Sequence, residues 1–264
     1  MDIDALILDL NAIRKTRPLV HNITNFVVMN STANGLLALG ASPVMAHATE
    51  EVEEMAALAS ALVINIGTLS RDWIAAMRQA MQAAAERNLP IIFDPVGAGA
   101  TRYRTRTCHD LLRAVTPTVI RGNASEIMAL VDSTVRTKGV DSSAAEQDAE
   151  RAAQELARYV SSIVVVSGAV DLVTDGDIQR RIPHGHPLMS RVTGLGCTAT
   201  ALTGAFTAVN SDSLSAAEHA MTVLGISGAI AAQKATGPGS LQVALLDTLY
   251  NLDPQQLRDW LRGC

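Results

Sequence analysis

The chain has 264 residues, a formal net charge of −5 and 48% hydrophobic residues but only 3% aromatic ones, so Ala, Val, Ile, Leu and Met must fill a large core. The acidic balance and scattered arginines give no basic footprint for nucleic acid, and Cys108, Cys197 and Cys264 are too far apart for a disulfide framework or a zinc site. Met1-Asp-Ile-Asp lacks the basic start of a signal peptide and no run of about 18 apolar residues is read as a bilayer span, so a soluble, cytoplasmic protein is expected.

In chain order, Ile3, Leu6, Ile7, Leu10 and Ile13 recur at helical spacing, which predicts a helix over 3–14 that ends before Pro18. A β-prone run over 19–25 follows, then a helix over 26–39 closed by Gly40, a strand at 41–46, a helix at 50–60 and the continuously apolar strand 61–65. The alternation continues with a helix at 71–87, strands at 90–94 and 118–121, a helix at 124–131, a polar loop at 132–143 and a helix at 144–159. Residues 162–167 read as a buried strand, 170–174 and 177–182 as a hairpin about Asp175-Gly176, and everything after Gly194 as helix, broken at Gly237-Pro-Gly239. Such alternation predicts a mostly parallel sheet with helices on both faces. No Pro/Gly/Ser-rich linker interrupts it, so one domain is expected over 1–264. Ligands of such sheets bind beyond the carboxyl ends of the strands. There Asn22, Thr24 and Asn25, Asn65 and Gly67, Asp94 and Pro95, Arg121 and Asn123, and Ser167 and Gly168 should converge.

Four constellations carry chemistry. Gly194-Leu-Gly-Cys197 is a tight turn running into a helix whose free N–H groups and dipole favour a phosphate. Cys197 at its mouth is open to three readings: an inert buried thiol, a nucleophile, for which no positioned His is evident, or a thiol whose pKa the helix N-terminus lowers. Asp94, before a glycine-rich loop, and Glu126, three residues after Asn123, are oxygen ligands suited to Mg²⁺; a turn-initiating Asp before Pro and a helix capping box are the structural alternatives. Arg121 ends an apolar strand, where its charge needs a phosphate or an internal salt bridge. Met45 by composition is core, and the six histidines show no metal spacing.

Together Pro18–Asn25, Ala38–Met45, Asn65–Leu69, Asp94–Thr101, Ile120–Glu126 and Gly194–Cys197 resemble the ribokinase superfamily and, within it, the hydroxyethylthiazole kinase family. The resemblance implies a ribokinase-like three-layer α/β/α fold without a separate lid domain, ATP and Mg²⁺ as cofactors, and a homotrimer with active sites between subunits. It implies transfer of the γ-phosphoryl group to the hydroxyl of 4-methyl-5-(2-hydroxyethyl)thiazole, in thiamine biosynthesis and salvage. Carried residue by residue, it places Met45, Gly194 and Asn25 at the thiazole alcohol, Arg121, Ser167 and Asn123 at ATP, and Asp94 and Glu126 at the metal. Cys197 stands where related sugar kinases carry an Asp base, with Gly194 and Gly196 in the catalytic turn. Leu195 and Ser167 depart from the family pattern, which more often has Thr at both positions. Alternatives are a dehydratase of hydrated NAD(P)H from the same superfamily, a hydroxymethylpyrimidine kinase and a non-catalytic thiazole-binding protein.

Overall fold

In the computed structural model, which describes residues 1–131 and 142–263, eight strands join one sheet. They are β1 (Leu19–Ile23), β2 (Ser42–Val44), β3 (Ala61–Asn65), β4 (Ile91–Asp94), β5 (Val119–Asn123), β6 (Ile163–Ser167), β7 (Asp171–Thr174) and β8 (Gln179–Ile182), in the order β2-β1-β3-β4-β5-β6-β7-β8. The first six run parallel, and β7 pairs antiparallel with both β6 and β8. The central β3 and β4 are buried along their whole length, as parallel strands covered on both faces must be.

This order decides where the helices lie. From β1 the chain moves outward to β2 through α2 (Met29–Leu39). It then returns in the other direction through α3 (Val52–Leu58), α4 (Arg71–Glu86), α5 (Arg102–Ala114), and the pair α6 (Ala124–Val131) and α7 (Ser142–Val160). Right-handed crossovers running in opposite directions fall on opposite faces. Accordingly Val52, Trp73, Cys108, Ile127 and Leu156 share one core, while Leu36 and Leu39 of α2 belong to the other. One crossover helix cannot cover a face, so that side is completed by α1 (Ile3–Thr16) and by α8 (Leu195–Thr207), α9 (Ser213–Lys234), α10 (Pro238–Asn251) and α11 (Pro254–Arg262).

Two helices show how the sequence produces these layers. In α4, Trp73, Ala76, Met77, Ala80, Met81 and Ala84 form one buried stripe, and the Ser70 hydroxyl accepts from the Trp73 N–H to start it. By contrast α8 is buried on every side from Thr198 to Thr207. A Cβ added at Gly204 would come within 3.1 Å of Val63 Cγ2 and 3.2 Å of Val20 Cγ1. Small residues let this helix settle close on the sheet, which is how a core with few aromatics reaches interior density.

Several expectations are corrected. The helix expected from 26 starts at Met29, because 26–28 form a turn in which the Val28 N–H donates to the Asn25 carbonyl at 3.2 Å. Helix α5 was not expected, since only Thr107, Cys108 and Leu111 of its largely polar sequence are buried. A 3₁₀ segment, Pro187–Arg191, was also unforeseen. The expected loop 132–143 lies outside the described residues except for 142–143, which begin α7. Finally, α9 is long and apolar enough to cross a membrane by length and composition, against the sequence reading, but 89% of its apolar window is buried inside the fold.

Candidate active site

Strand register builds the first half of the site. Asn65 and Asp94 end adjacent parallel strands as direct partners, and Asn65 Nδ2 donates to Asp94 Oδ2 at 2.7 Å. The Thr200 hydroxyl, from the first turns of α8, donates to the same oxygen at 2.8 Å. Asn65 Oδ1 in turn accepts from Asn25 Nδ2 at 2.8 Å and from the Gly67 N–H at 2.9 Å, and Asn25 Nδ2 also lies 3.6 Å from Cys197 Sγ. The Asn25–Asn65 bond spans the point where the strand order reverses, between β1 and β3, where open α/β sheets place their ligands.

Burial sets the protonation of this network. Asp94 is pushed up to about 6 by loss of water and by Glu126, against the opposing pull of Arg121, Thr200 and Asn65. Cys197 is pushed up to about 11, by burial first and then by the Asp94 charge. This overturns the reading in which a helix N-terminus lowers that thiol: desolvation and a neighbouring carboxylate outweigh the dipole.

The second carboxylate is held by the backbone. Glu126 Oε1 accepts from the Gly97 N–H at 2.8 Å and Oε2 from the Asn123 N–H at 2.8 Å, while Asn123 Oδ1 accepts from the Glu126 N–H at 3.0 Å. Asn123 and Glu126 therefore form the reciprocal capping box that their spacing predicted, and the same carboxylate fixes the glycine-rich loop after β4. Among the described residues no cluster of three or more His, Cys, Asp or Glu is placed to hold a metal ion. One or two carboxylates that leave the remaining positions to water and phosphate are the donor set Mg²⁺ uses, so Asp94 and Glu126 fit it. Both hydrogen bonds to Asp94 fall on Oδ2.

Beside this network opens a cleft of about 780 Å³, lined among others by Arg121, Ser167, Gly168, Asp171, Gly194 and Gly196. Arg121 is only 6% exposed, takes part in no ion pair among the described residues, and its Nε is buried without a partner. Among the described residues, the internal salt bridge weighed against a phosphate is thus not made. Its guanidinium lies against the first turn of α8: a Cβ on Gly196 would sit 3.2 Å from Nη1. Among the described residues no side chain caps that helix, whose first residues line the cleft, so its first N–H groups are left without a side-chain acceptor. Gly194 takes φ +83°, and a Cβ there would lie 2.7 Å from Val28 Cγ1. Both the conformation and the space demand glycine. The Ser167 hydroxyl donates to the Gly122 carbonyl at 3.3 Å.

Met45 is not brought to this assembly. It follows β2, the outer edge strand, outside the cleft lining and the hydrogen-bonded network. Its neighbour Ala46 is anchored by a 2.8 Å hydrogen bond between its carbonyl and His21 Nε2. Sequence reasoning missed Thr200 and Asp171. Thr200, one helical turn beyond Gly196, carried a positional signal. Asp171 carried only the oddity of an acid opening an apolar strand; its carboxylate accepts from the Gly168 N–H at 2.9 Å and its pKa is raised by burial.

Comparison with known proteins agrees with this geometry. Residues 10–255 match the Hydroxyethylthiazole kinase family. A hydroxyethylthiazole kinase of Syntrophus aciditrophicus is 58% identical over 95% of this chain and 93% of its own length. The solved structure of a hydroxyethylthiazole kinase protein from Pyrococcus horikoshii superposes with a TM-score of 0.90 at 47% identity, covering 97% of this chain and 96% of that one. A ribokinase-like superfamily protein from Enterococcus faecalis, at 13% identity and a TM-score of 0.62 over 89% of this chain and 87% of that one, shares the fold.

Proposed function

The chain belongs to the hydroxyethylthiazole kinase family, and from that premise we propose how its residues phosphorylate the hydroxyl of 4-methyl-5-(2-hydroxyethyl)thiazole with ATP and Mg²⁺. The observation that carries the reading is the buried guanidinium of Arg121, which takes part in no ion pair among the described residues, against the first turn of α8. A cation and a set of free amides aimed at one point are worth most where charge builds up on a phosphoryl group in a site shielded from water. Ser167 and Asn123 stand at the nucleotide, Gly194 and Asn25 at the alcohol. Asp94 and Glu126 would hold Mg²⁺, which neutralises phosphate charge when bound. Cys197 stays a thiol at neutral pH; it orients the hydroxyl and does not remove its proton. The loose transition state of phosphoryl transfer makes a strong base dispensable.

The finer reading of the assembly is a cytoplasmic homotrimer whose sites lie between subunits. It is supported by Met45, directly after the edge strand β2, and by Phe26 and Val27, 66% and 70% exposed, directly after Asn25. A second subunit covering that edge would bring its own surface to Met45 and complete the alcohol pocket. The test is ADP formation from ATP and Mg²⁺ with the thiazole alcohol, with hydroxymethylpyrimidine and with neither, alongside light scattering for mass. Thiazole-dependent release by a trimer is expected. Release with the pyrimidine alone, or none from a folded protein, overturns the substrate; activity of a stable monomer overturns the shared site.

A further inference from the structure

One arginine outside the site holds two of its loops together. From α5, the Arg104 guanidinium donates through Nη1 to the Ile66 carbonyl at 2.9 Å and to the Val96 carbonyl at 2.8 Å, and through Nη2 to the Gly67 carbonyl at 2.9 Å. Ile66 and Gly67 directly follow Asn65, while Val96 lies two residues beyond Asp94. The three acceptors therefore belong to the two loops that leave the catalytic ends of β3 and β4. Arg104 takes part in no ion pair among the described residues. Its charge is held by carbonyl dipoles alone, an expensive use of a half-buried cation unless the position of those carbonyls matters.

The surroundings agree. The stem of Arg104 lies along Gly97, where an added Cβ would meet its Cδ at 3.0 Å, and Glu126 takes the Gly97 N–H from the other side. The Thr105 hydroxyl, next along α5, accepts from the Gly99 N–H at 2.9 Å. A flat fork with several N–H donors in fixed directions can span two loops; an ammonium on a flexible stem cannot hold the same three acceptors in one plane.

We propose that Arg104 is a positioning residue for phosphoryl transfer, fixing the loop after Asn65 against the loop after Asp94 so that these two side chains keep their mutual geometry. The proposal rests on the kinase reading above. It acts on the catalytic step, because Arg104 bonds to the loops after Asn65 and Asp94 and does not line the cleft that holds Arg121 and Ser167.

The experiment compares wild type with Arg104→Lys, Arg104→Ala and the surface control Arg106→Ala in steady-state kinase assays, with melting curves and amide hydrogen exchange on the same samples. In Arg104→Lys, kcat is expected to fall by about tenfold to 10²-fold, the cost of a small misplacement of reacting groups. KM for ATP should stay within about twofold, since the interactions lost are felt at the transition state and not in nucleotide binding. Exchange should quicken in peptides covering 65–69 and 94–99 and stay unchanged in α8. Low millimolar guanidinium should restore part of the activity of Arg104→Ala, and Arg106→Ala should behave as wild type. Wild-type kcat in a folded Arg104→Lys, or a rise in KM for ATP equal to the fall in kcat, overturns the proposal. If Arg104→Ala fails to fold, Arg104→Lys decides alone. An inactive wild type would instead refute the kinase reading, while the exchange at 65–69 and 94–99 still reports whether Arg104 clamps the loops.

Discussion

The two halves of the site are built on opposite principles. Under the ends of β3 and β4, Asn25, Asn65, Asp94 and Thr200 are bonded to one another. In the cleft, among the described residues, Arg121 takes part in no ion pair, its Nε is buried without a hydrogen-bond partner, and no side chain caps the first turn of α8. A buried polar network that closes on itself holds geometry; a buried cation and free amides left open have their charge answered from outside the chain. The first half positions and the second awaits phosphate. Substitutions should accordingly separate geometry from charge.

The largest effect is expected from the open half. Arg121→Met should lower kcat/KM by about 10³-fold or more, the range of an arginine that stabilises transferring phosphate, and Gly196→Val, which crowds the same guanidinium, should abolish turnover in a protein that still folds. Steady-state assays beside melting curves check both. If Gly196→Val is unaffected, the first turn of α8 does not hold the phosphate.

Next comes the closed half, where activity and stability should move in opposite directions. Asp94→Asn is expected to lower kcat/KM by about 10²-fold yet to raise the melting temperature at pH 7. Because burial raises Asp94 from 3.8 to about 6, the folded protein binds that proton more tightly than the unfolded chain. Its stabilising contribution is complete below pH about 4 and is lost as pH rises through about 6. The loss amounts to about 3 kcal/mol at about 1.4 kcal/mol per pKa unit. Melting curves from pH 4 to pH 8 should show that decline in the wild type and its absence in the variant; parallel curves would refute the assignment.

Smaller effects lie at the seam between the halves. Gly194→Ala forces a side chain into φ +83° and against Val28; about 1–3 kcal/mol of stability should be lost, read from denaturant midpoints. Cys197→Ser should keep kcat within about tenfold, below the 10²-fold or more that removal of a general base costs. Cys197→Asp should keep or raise turnover, since it supplies a carboxylate more readily ionised than a thiol held near 11.

The same division governs how much could be read from the chain. Strands β3 and β6 were legible because unbroken apolar runs have no other use in a fold of this class. The capping box of Asn123 and Glu126 was legible because its partners sit three residues apart. What joins distant segments was not. Thr200 and Asp94 are 106 positions apart, and no local spacing encodes that bond. Helix α5 was missed since its short buried stripe is outnumbered by arginines and threonines, with only its Thr101 cap, which accepts from the Arg104 N–H, as a signal. The role of Arg104 was hidden with it. The pKa of Cys197 was open because a helix start lowers a thiol and burial raises it, and burial is a tertiary property.

The central claim is that the cleft was left open for phosphate charge, and titration calorimetry with ATP and with adenosine, on wild type and Arg121→Met, tests it most directly. The account predicts that the variant loses about 10-fold to 10²-fold in affinity for ATP, the worth of one charge-assisted contact, and nothing for adenosine. Equal losses for both ligands, or no loss for either, would contradict it.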